Sequence, residues 1–359
     1  MNNRKRWIET GTVMLAVALM GHGGAVHSQS HSTKADELTR GFTAPPAAAR
    51  LRCYWWWLNG NTTRATITRD LEEMQKKGYG GVLLVDANGA NQNGNDNVPA
   101  GPEFGSPQWT ALYVHALKEA DRLGLEVTLN ITSGWNLGGP WVQPEQASKV
   151  LTWSRTLLKP GTTDVRVETP PMKNGFYRQI AVLAYPLHQR SSLAGESGDP
   201  RKGLGALQAK SAAAEMGFSM PDATLLLTDS SPDTTDEDTE VGEVCDITAQ
   251  VDADGAVHWV PPAGSTQSWE LLRIGYTDSD ARVSTSSGAW QGLAIDYLDP
   301  GVLDVYWKKS VLPLLDAGKP YAGKSLKYVA TDSWELGGTN WTGGFREEFQ
   351  RRRGYDPVR

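Results

Sequence analysis

A chain of 359 residues, 39% of them hydrophobic, with a formal net charge of −6, can hold one large domain or two ordinary ones. The acidity is mild and spread out and no basic stripe occurs, so nucleic acid is not expected as a partner. Fourteen Trp stand against six Phe; an indole N–H needs a partner when buried, so this bias suits stacking on flat ligands or sugar faces, although a Trp-rich core accounts for most of them.

In chain order, Arg4, Lys5 and Arg6 precede the apolar run Val13 to Met20, and small residues lead to Ser28. This pattern predicts a secretory signal over residues 1–28 and an exported, periplasmic or extracellular, protein. The run is too short for a stable membrane span, and no later segment is apolar enough for one. A polar leader covers 29–50. The two cysteines, Cys53 and Cys245, are expected to be unpaired, because Cys53 opens an apolar strand and buried free cysteine is common.

"LRCYWWWL" reads as a strand, with three consecutive Trp at 55–57. "TRATITRDLEEMQKKG" reads as a helix with Ile67, Leu71 and Met74 on one face, stopped by Gly78. Gly80 to Ala87 is a continuous apolar strand. A second helix is capped by Ser106, carries Pro107 in its first turn and ends at Gly124. Leu125 to Thr132 is a third strand. Apolar strands alternating with helices imply a parallel sheet under helices. In a parallel barrel a strand is buried on both faces, which would accept consecutive Trp, with those at the C-terminal end reaching the mouth.

The rhythm breaks after Thr132. "SGWNLGGPWVQPEQ" is a Gly- and Pro-rich loop. "RQIAVLAYPL" and "WELLRIGYT" read as strands, and Asp254-Gly255 as the tight turn of a hairpin. The stretch from about Arg190 to Gly242 is rich in Ser, Ala, Gly and Asp, and its acidic run Asp229–Glu243 reads as a solvated loop rather than a calcium loop. Together these predict an antiparallel β insertion. Then Gly292 to Leu298 reads as a strand, "PGVLDVYWKKSVLPLLDAG" as a helix bent near Pro313, and Leu326 to Glu335 as a strand before a last helix. No solenoid repeat is present.

The expected fold is α/β: a partial (β/α)8 TIM-type barrel interrupted by an antiparallel β insertion. The expected domains are residues 51–150, first part of the barrel; 151–285, the insertion; and 286–359, the barrel resumed. Five barrel strands are counted, at 52–58, 80–87, 125–132, 292–297 and 326–333, where a closed barrel needs eight. Either the fold is not a barrel or the chain is the front part of a longer protein, and the second is the expectation.

Polar and indole side chains recur where these strands end: Trp56, Trp57 and Asn59; Asp86; Asn130, Ser133 and Trp135; Asp296; and Asp332, Glu335 and Trp341. Amides and carboxylates bond sugar hydroxyls, and indole faces stack on ring C–H groups. Strand ends are polar wherever they meet solvent; recurrence on every strand favours a site. Glu335, flanked by Trp334, is expected to be desolvated, which suits a general acid. Asp332 competes for that role, and a loop-positioning carboxylate is the alternative for Glu335. The six His residues form no metal-binding pair of the H-E-x-x-H type, and no G-x-S-x-G elbow occurs. Two-carboxylate hydrolysis is the simplest remaining chemistry.

"YWWWLNGNTTRATITRDLEEMQKKGYGGVLLVD", "GLEVTLNITSGWNLGGPWVQPEQASK", "DITAQVDADGAVHWVPPAGSTQSWELLRIGYT" and "TDSWELGGTNWTGGFREEFQRRRGYDP" together resemble glycoside hydrolase family 106, the α-L-rhamnosidases, from Arg52 to Pro357. The resemblance implies a (β/α)8 catalytic barrel with added β domains, removal of terminal α-L-rhamnose from plant-type glycans with inversion, and calcium contacting sugar hydroxyls. By motif, Glu335 is similar to a family catalytic carboxylate, acid or base, and its partner is expected beyond Arg359. The alternatives are a non-catalytic carbohydrate-binding remnant and a glycosidase for another terminal sugar.

Overall fold

A computed structural model describes residues 34–88, 98–188 and 239–359. The expected signal and most of the Arg190–Gly242 stretch lie outside them. The chain divides into two compact units, at Pro46 and Ala47. In the first, α1 (Lys34–Thr43) is a solvent-exposed helix with Asp36 and Glu37 in its first turn and Arg40 in its last, matching the helix dipole. No helix among the described residues is long and apolar enough to cross a membrane.

The second unit is mixed α/β. Its parallel sheet has the order β1-β2-β3-β12, formed by Arg52–Leu58, Gly81–Ala87, Glu126–Ser133 and Leu326–Ala330. The helices between them start and stop where the sequence signals fall. The Thr63 side chain caps α2 (Arg64–Lys76) in a reciprocal box with Thr66. Ser106 caps α3 (Pro107–Leu123), accepting from the Trp109 N–H at 3.2 Å, and Gly124 ends it with φ 69°. Ile67 and Leu71 of α2 and Trp109, Tyr113 and Leu117 of α3 cover Trp55, Trp57, Leu84 and Leu129 in one apolar core.

The Trp triplet is resolved differently from the expectation of two buried faces. Among the described residues β1 lies at the edge of the sheet, and only its helix-covered face is closed. Trp55 and Trp57 point into the core, whereas Tyr54 and Trp56 are 56% and 41% exposed on the other face. Central β2 is buried on both faces, Leu83 being the half-buried exception.

A second correction concerns 292–297. It is no parallel strand: β11 (Leu293–Ala294) pairs antiparallel with β4 (Gly138–Gly139) of the Gly-rich loop. A Cβ on Gly138 or Gly292 would collide with the partner backbone, so glycine permits this close pairing. The parallel sheet therefore has four strands here, not five. No barrel is closed among the described residues. The 326–333 strand also ends early, at Ala330, which leaves Asp332 and Glu335 on a loop.

The insertion is antiparallel as expected, in the order β5-β10-β7-β8: Lys149–Leu158, Trp269–Asp278, Tyr177–Pro186 and Cys245–Asp246. The Asp254-Gly255 turn is present, with Gly255 at φ 90°, but β9 (Ala256–Val257) pairs mainly with β6 (Val165–Arg166). Cys53 and Cys245 are free thiols. After β11 come α4 (Pro300–Tyr306), a π-helical turn over Trp307–Val311 and α5 (Leu312–Gly318). The π turn meets Pro313, which has no N–H to continue the ladder, so the irregularity falls near the expected bend. The last helix, α6 (Phe345–Arg353), is tied down by Arg346, 2.6 Å from Asp356.

Candidate active site

The loop from Thr331 to Thr342, between β12 and α6, carries three of the expected residues, Asp332, Glu335 and Trp341, on a pinned frame. The Leu336 side chain is buried. At the far end Asn340 donates its N–H to the Lys149 carbonyl at 3.2 Å, and its Oδ1 accepts from the Leu151 N–H at 2.8 Å. Thr342 donates to Asp296 Oδ2 at 2.8 Å. Trp341 is buried against Phe345, ring centroids 4.7 Å apart, so it anchors the loop rather than opening to solvent.

Lys149 holds the frame from below. Its buried ammonium donates to the carbonyls of Pro144 (2.9 Å), Glu145 (3.0 Å) and Ala147. Burial pulls its pKa down, opposed by Asp296 and Asp278 nearby. Asp296 is buried too. Burial pushes its carboxyl up, against bonds from Thr342 and the Leu298 N–H.

The open side of the loop is different. Asp332 accepts at both oxygens: from the Ser333 N–H at 2.9 Å and from the Tyr54 hydroxyl at 3.2 Å. Burial, and then the Asp332 carboxylate, push the Tyr54 phenol up. Ser333 donates its hydroxyl to Glu335 Oε1 at 2.8 Å. Glu335 is exposed, so the desolvation expected beside Trp334 is absent. Trp334 is 61% exposed and lies flat on Tyr297, with centroids 4.0 Å apart and planes at 27°. Trp56 packs against half-buried Trp135 at 5.4 Å and edge-on to Tyr54 at 6.3 Å. Trp56, Trp135 and Asp332 are thus linked through Tyr54, while Glu335 is linked to Asp332 through Ser333.

The other expected residues are drawn inward. Trp57 packs on Trp109 at 5.4 Å under the helices; it does not reach a mouth, because period-two geometry puts it on the covered face. Asp86 is fully buried and accepts from Trp109 Nε1 (2.9 Å), Ser133 Oγ (2.5 Å) and Ser287 Oγ. Burial raises its pKa to about 6, with the three donors opposing. Asp86 and Ser133 therefore join β2, β3 and α3 to the 284–287 segment, which the sequence reading missed. Asn130 is buried; its amide donates to the carbonyls of Thr132 (3.1 Å) and Gly134 (2.9 Å), and its Oδ1 has no partner. Asn59 turns the chain at φ 53° and donates to the Val98 carbonyl at 3.0 Å. Tyr54, Tyr297 and Ser287 carried no usable local signal, since each acts through a partner distant in sequence.

Among the described residues no group of three or more His, Cys, Asp and Glu side chains assembles to hold a metal ion.

Carboxylates beside exposed indoles on a mixed α/β frame are features of the glycoside hydrolases. The alpha-L-rhamnosidase family, glycoside hydrolase family 106, matches residues 43–199 and 209–359, and the chain belongs to that family. A Formosa agariphila protein named "Putative beta-glucuronidase" is 31% identical over 326 residues, which are 90% of this chain and 26% of that protein. The structure of a rhamnosidase from Novosphingobium sp. PP1Y shares the fold with a TM-score of 0.71 at 23% identity, over 89% of this chain and 42% of that one. This chain thus spans about a quarter of the first relative and under half of the second.

Proposed function

We propose that this chain is the N-terminal part of an exported inverting α-L-rhamnosidase, with Glu335 as one of its two catalytic carboxylates. Family membership supports the reaction class, and the chain's small share of its relatives supports a longer catalytic unit. In this reading the four parallel strands are the opening part of a (β/α)8 barrel, and the exposed face with Tyr54 and Trp56 is turned towards its interior. The basic and apolar N-terminal segment supports export. The resemblance also brings calcium into the proposal.

The observation that carries the assignment is the unequal bonding of the two loop carboxylates. Both oxygens of Asp332 are engaged, by Tyr54 and the Ser333 backbone. Glu335 accepts from Ser333 at Oε1 and faces solvent. Asp332 suits orientation of the site, and Glu335 suits proton exchange with a ligand. In inversion, one carboxylic acid protonates the glycosidic oxygen as its bond to the anomeric carbon breaks. A carboxylate about 6.5–9.5 Å away takes a proton from the attacking water.

In the complete native protein, Glu335→Gln should remove most turnover of an aryl α-L-rhamnoside and leave rhamnose binding largely intact. Undiminished turnover would remove Glu335 from the mechanism. The name of the Formosa agariphila relative motivates a second reading, a β-glucuronidase. Aryl rhamnosides and glucuronides, assayed side by side, separate the two. Sugar binding without hydrolysis of any of them would favour the carbohydrate-binding alternative.

A further inference from the structure

We infer that Trp334 is a pyranose-stacking residue of the substrate site, presenting one fixed indole face to the apolar C–H face of a sugar ring. The inference rests on the glycosidase reading above and extends it to a residue outside the expected set.

Three observations meet at this ring. First, Trp334 is 61% exposed, although large aromatic side chains are seldom left so open. Second, its other face is already occupied: Tyr297 stacks beneath it at 4.0 Å and 27°. Tyr297 is itself fixed, because its hydroxyl accepts from the Leu137 N–H at 2.7 Å and its ring packs on the buried cluster of Ile131, Ile295 and Tyr306. The Trp334 carbonyl accepts from the Leu336 N–H at 2.9 Å, and the Leu336 side chain is buried. Ring and backbone are therefore ordered before a ligand arrives, so little freedom is lost on binding. Third, Trp334 lies between Ser333 and Glu335, whose side chains are hydrogen-bonded to each other at 2.8 Å.

The chemistry selects the ligand class. An indole face carries negative quadrupole density, which attracts the polarised C–H bonds of a pyranose. A 6-deoxy sugar adds a methyl group to the apolar surface. The hydroxyls around the ring edge remain free to meet the carboxylates of the same loop. Trp56, by comparison, has its ring engaged by Trp135 and Tyr54.

The test uses the complete native protein with Trp334→Ala and Trp334→Phe, assayed on an aryl α-L-rhamnoside. Alanine should raise KM by about tenfold or more, with kcat changed less than about threefold, and phenylalanine should recover most of the loss. An unchanged KM, or a fall in kcat alone, would mean that Trp334 only positions Glu335 and would overturn the inference. Oxidative footprinting of the unmutated protein guards against a misfolded variant: L-rhamnose should slow oxidation of Trp334, read by peptide mass, and absence of protection overturns the inference. If the wild type cleaves a glucuronide and no rhamnoside, the substrate reading fails separately. The same variants and the same footprinting, with that glycoside as ligand, then decide the role of Trp334.

Discussion

Asp86 offers a prediction whose size follows from its surroundings. Its carboxyl is fully buried, and its pKa rises from 3.8 to about 6 despite three hydrogen-bond donors. A pKa raised by folding means that the folded state holds the proton more tightly than the unfolded chain. The stabilising contribution is complete below pH 3.8 and is lost as pH rises through about 6. At about 1.4 kcal/mol per pKa unit, the total is about 3 kcal/mol, of which about 2 kcal/mol falls between about pH 4.5 and 7. Asp86→Asn keeps the shape, does not titrate and leaves other ionisable groups in place. Urea unfolding, followed by Trp fluorescence, should therefore show wild type losing about 2 kcal/mol relative to the variant across that interval. A difference independent of pH would refute the reasoning, since it would mean that the Asp86 carboxyl titrates alike in both states.

Lys149→Met keeps an apolar stem but leaves the carbonyls of Pro144, Glu145 and Ala147 without their shared donor. It should cost about 2–4 kcal/mol in thermal or urea unfolding, and an unchanged midpoint would contradict the role given to that ammonium. Ser106→Ala removes the cap bond to the Trp109 N–H and should cost about 1 kcal/mol, read from the same unfolding curves. Exhaustive chelation should lower rhamnoside turnover and added calcium should restore it; turnover indifferent to both would remove the ion from the proposed function.

Much of the local architecture was legible in the residues themselves. Ser106, Pro107, Gly78 and Gly124 act through backbone groups within a few positions, so their helix boundaries could be read from spacing. The apolar runs of β2, β3, β7 and β10 declared themselves similarly, and long ordered motifs carried the family. Asp332 and Glu335 were visible as carboxylates beside indoles. Their bonding was not.

Only the tertiary structure decided which partner each surface meets. Trp55, Trp56 and Trp57 are one residue type in succession, yet helices cover one face of β1 and leave Trp56 on the other. Leu293–Ala294 had the composition of a parallel strand, but Gly138–Gly139 admits it as an antiparallel partner. Asp86 meets Ser133 and Ser287, and Trp334 meets Tyr297, across long stretches of chain. Sequence periodicity reports the geometry of one element at a time. Burial, hydrogen-bond completion and stacking depend on which elements pack together, and that is settled only when the whole chain has folded.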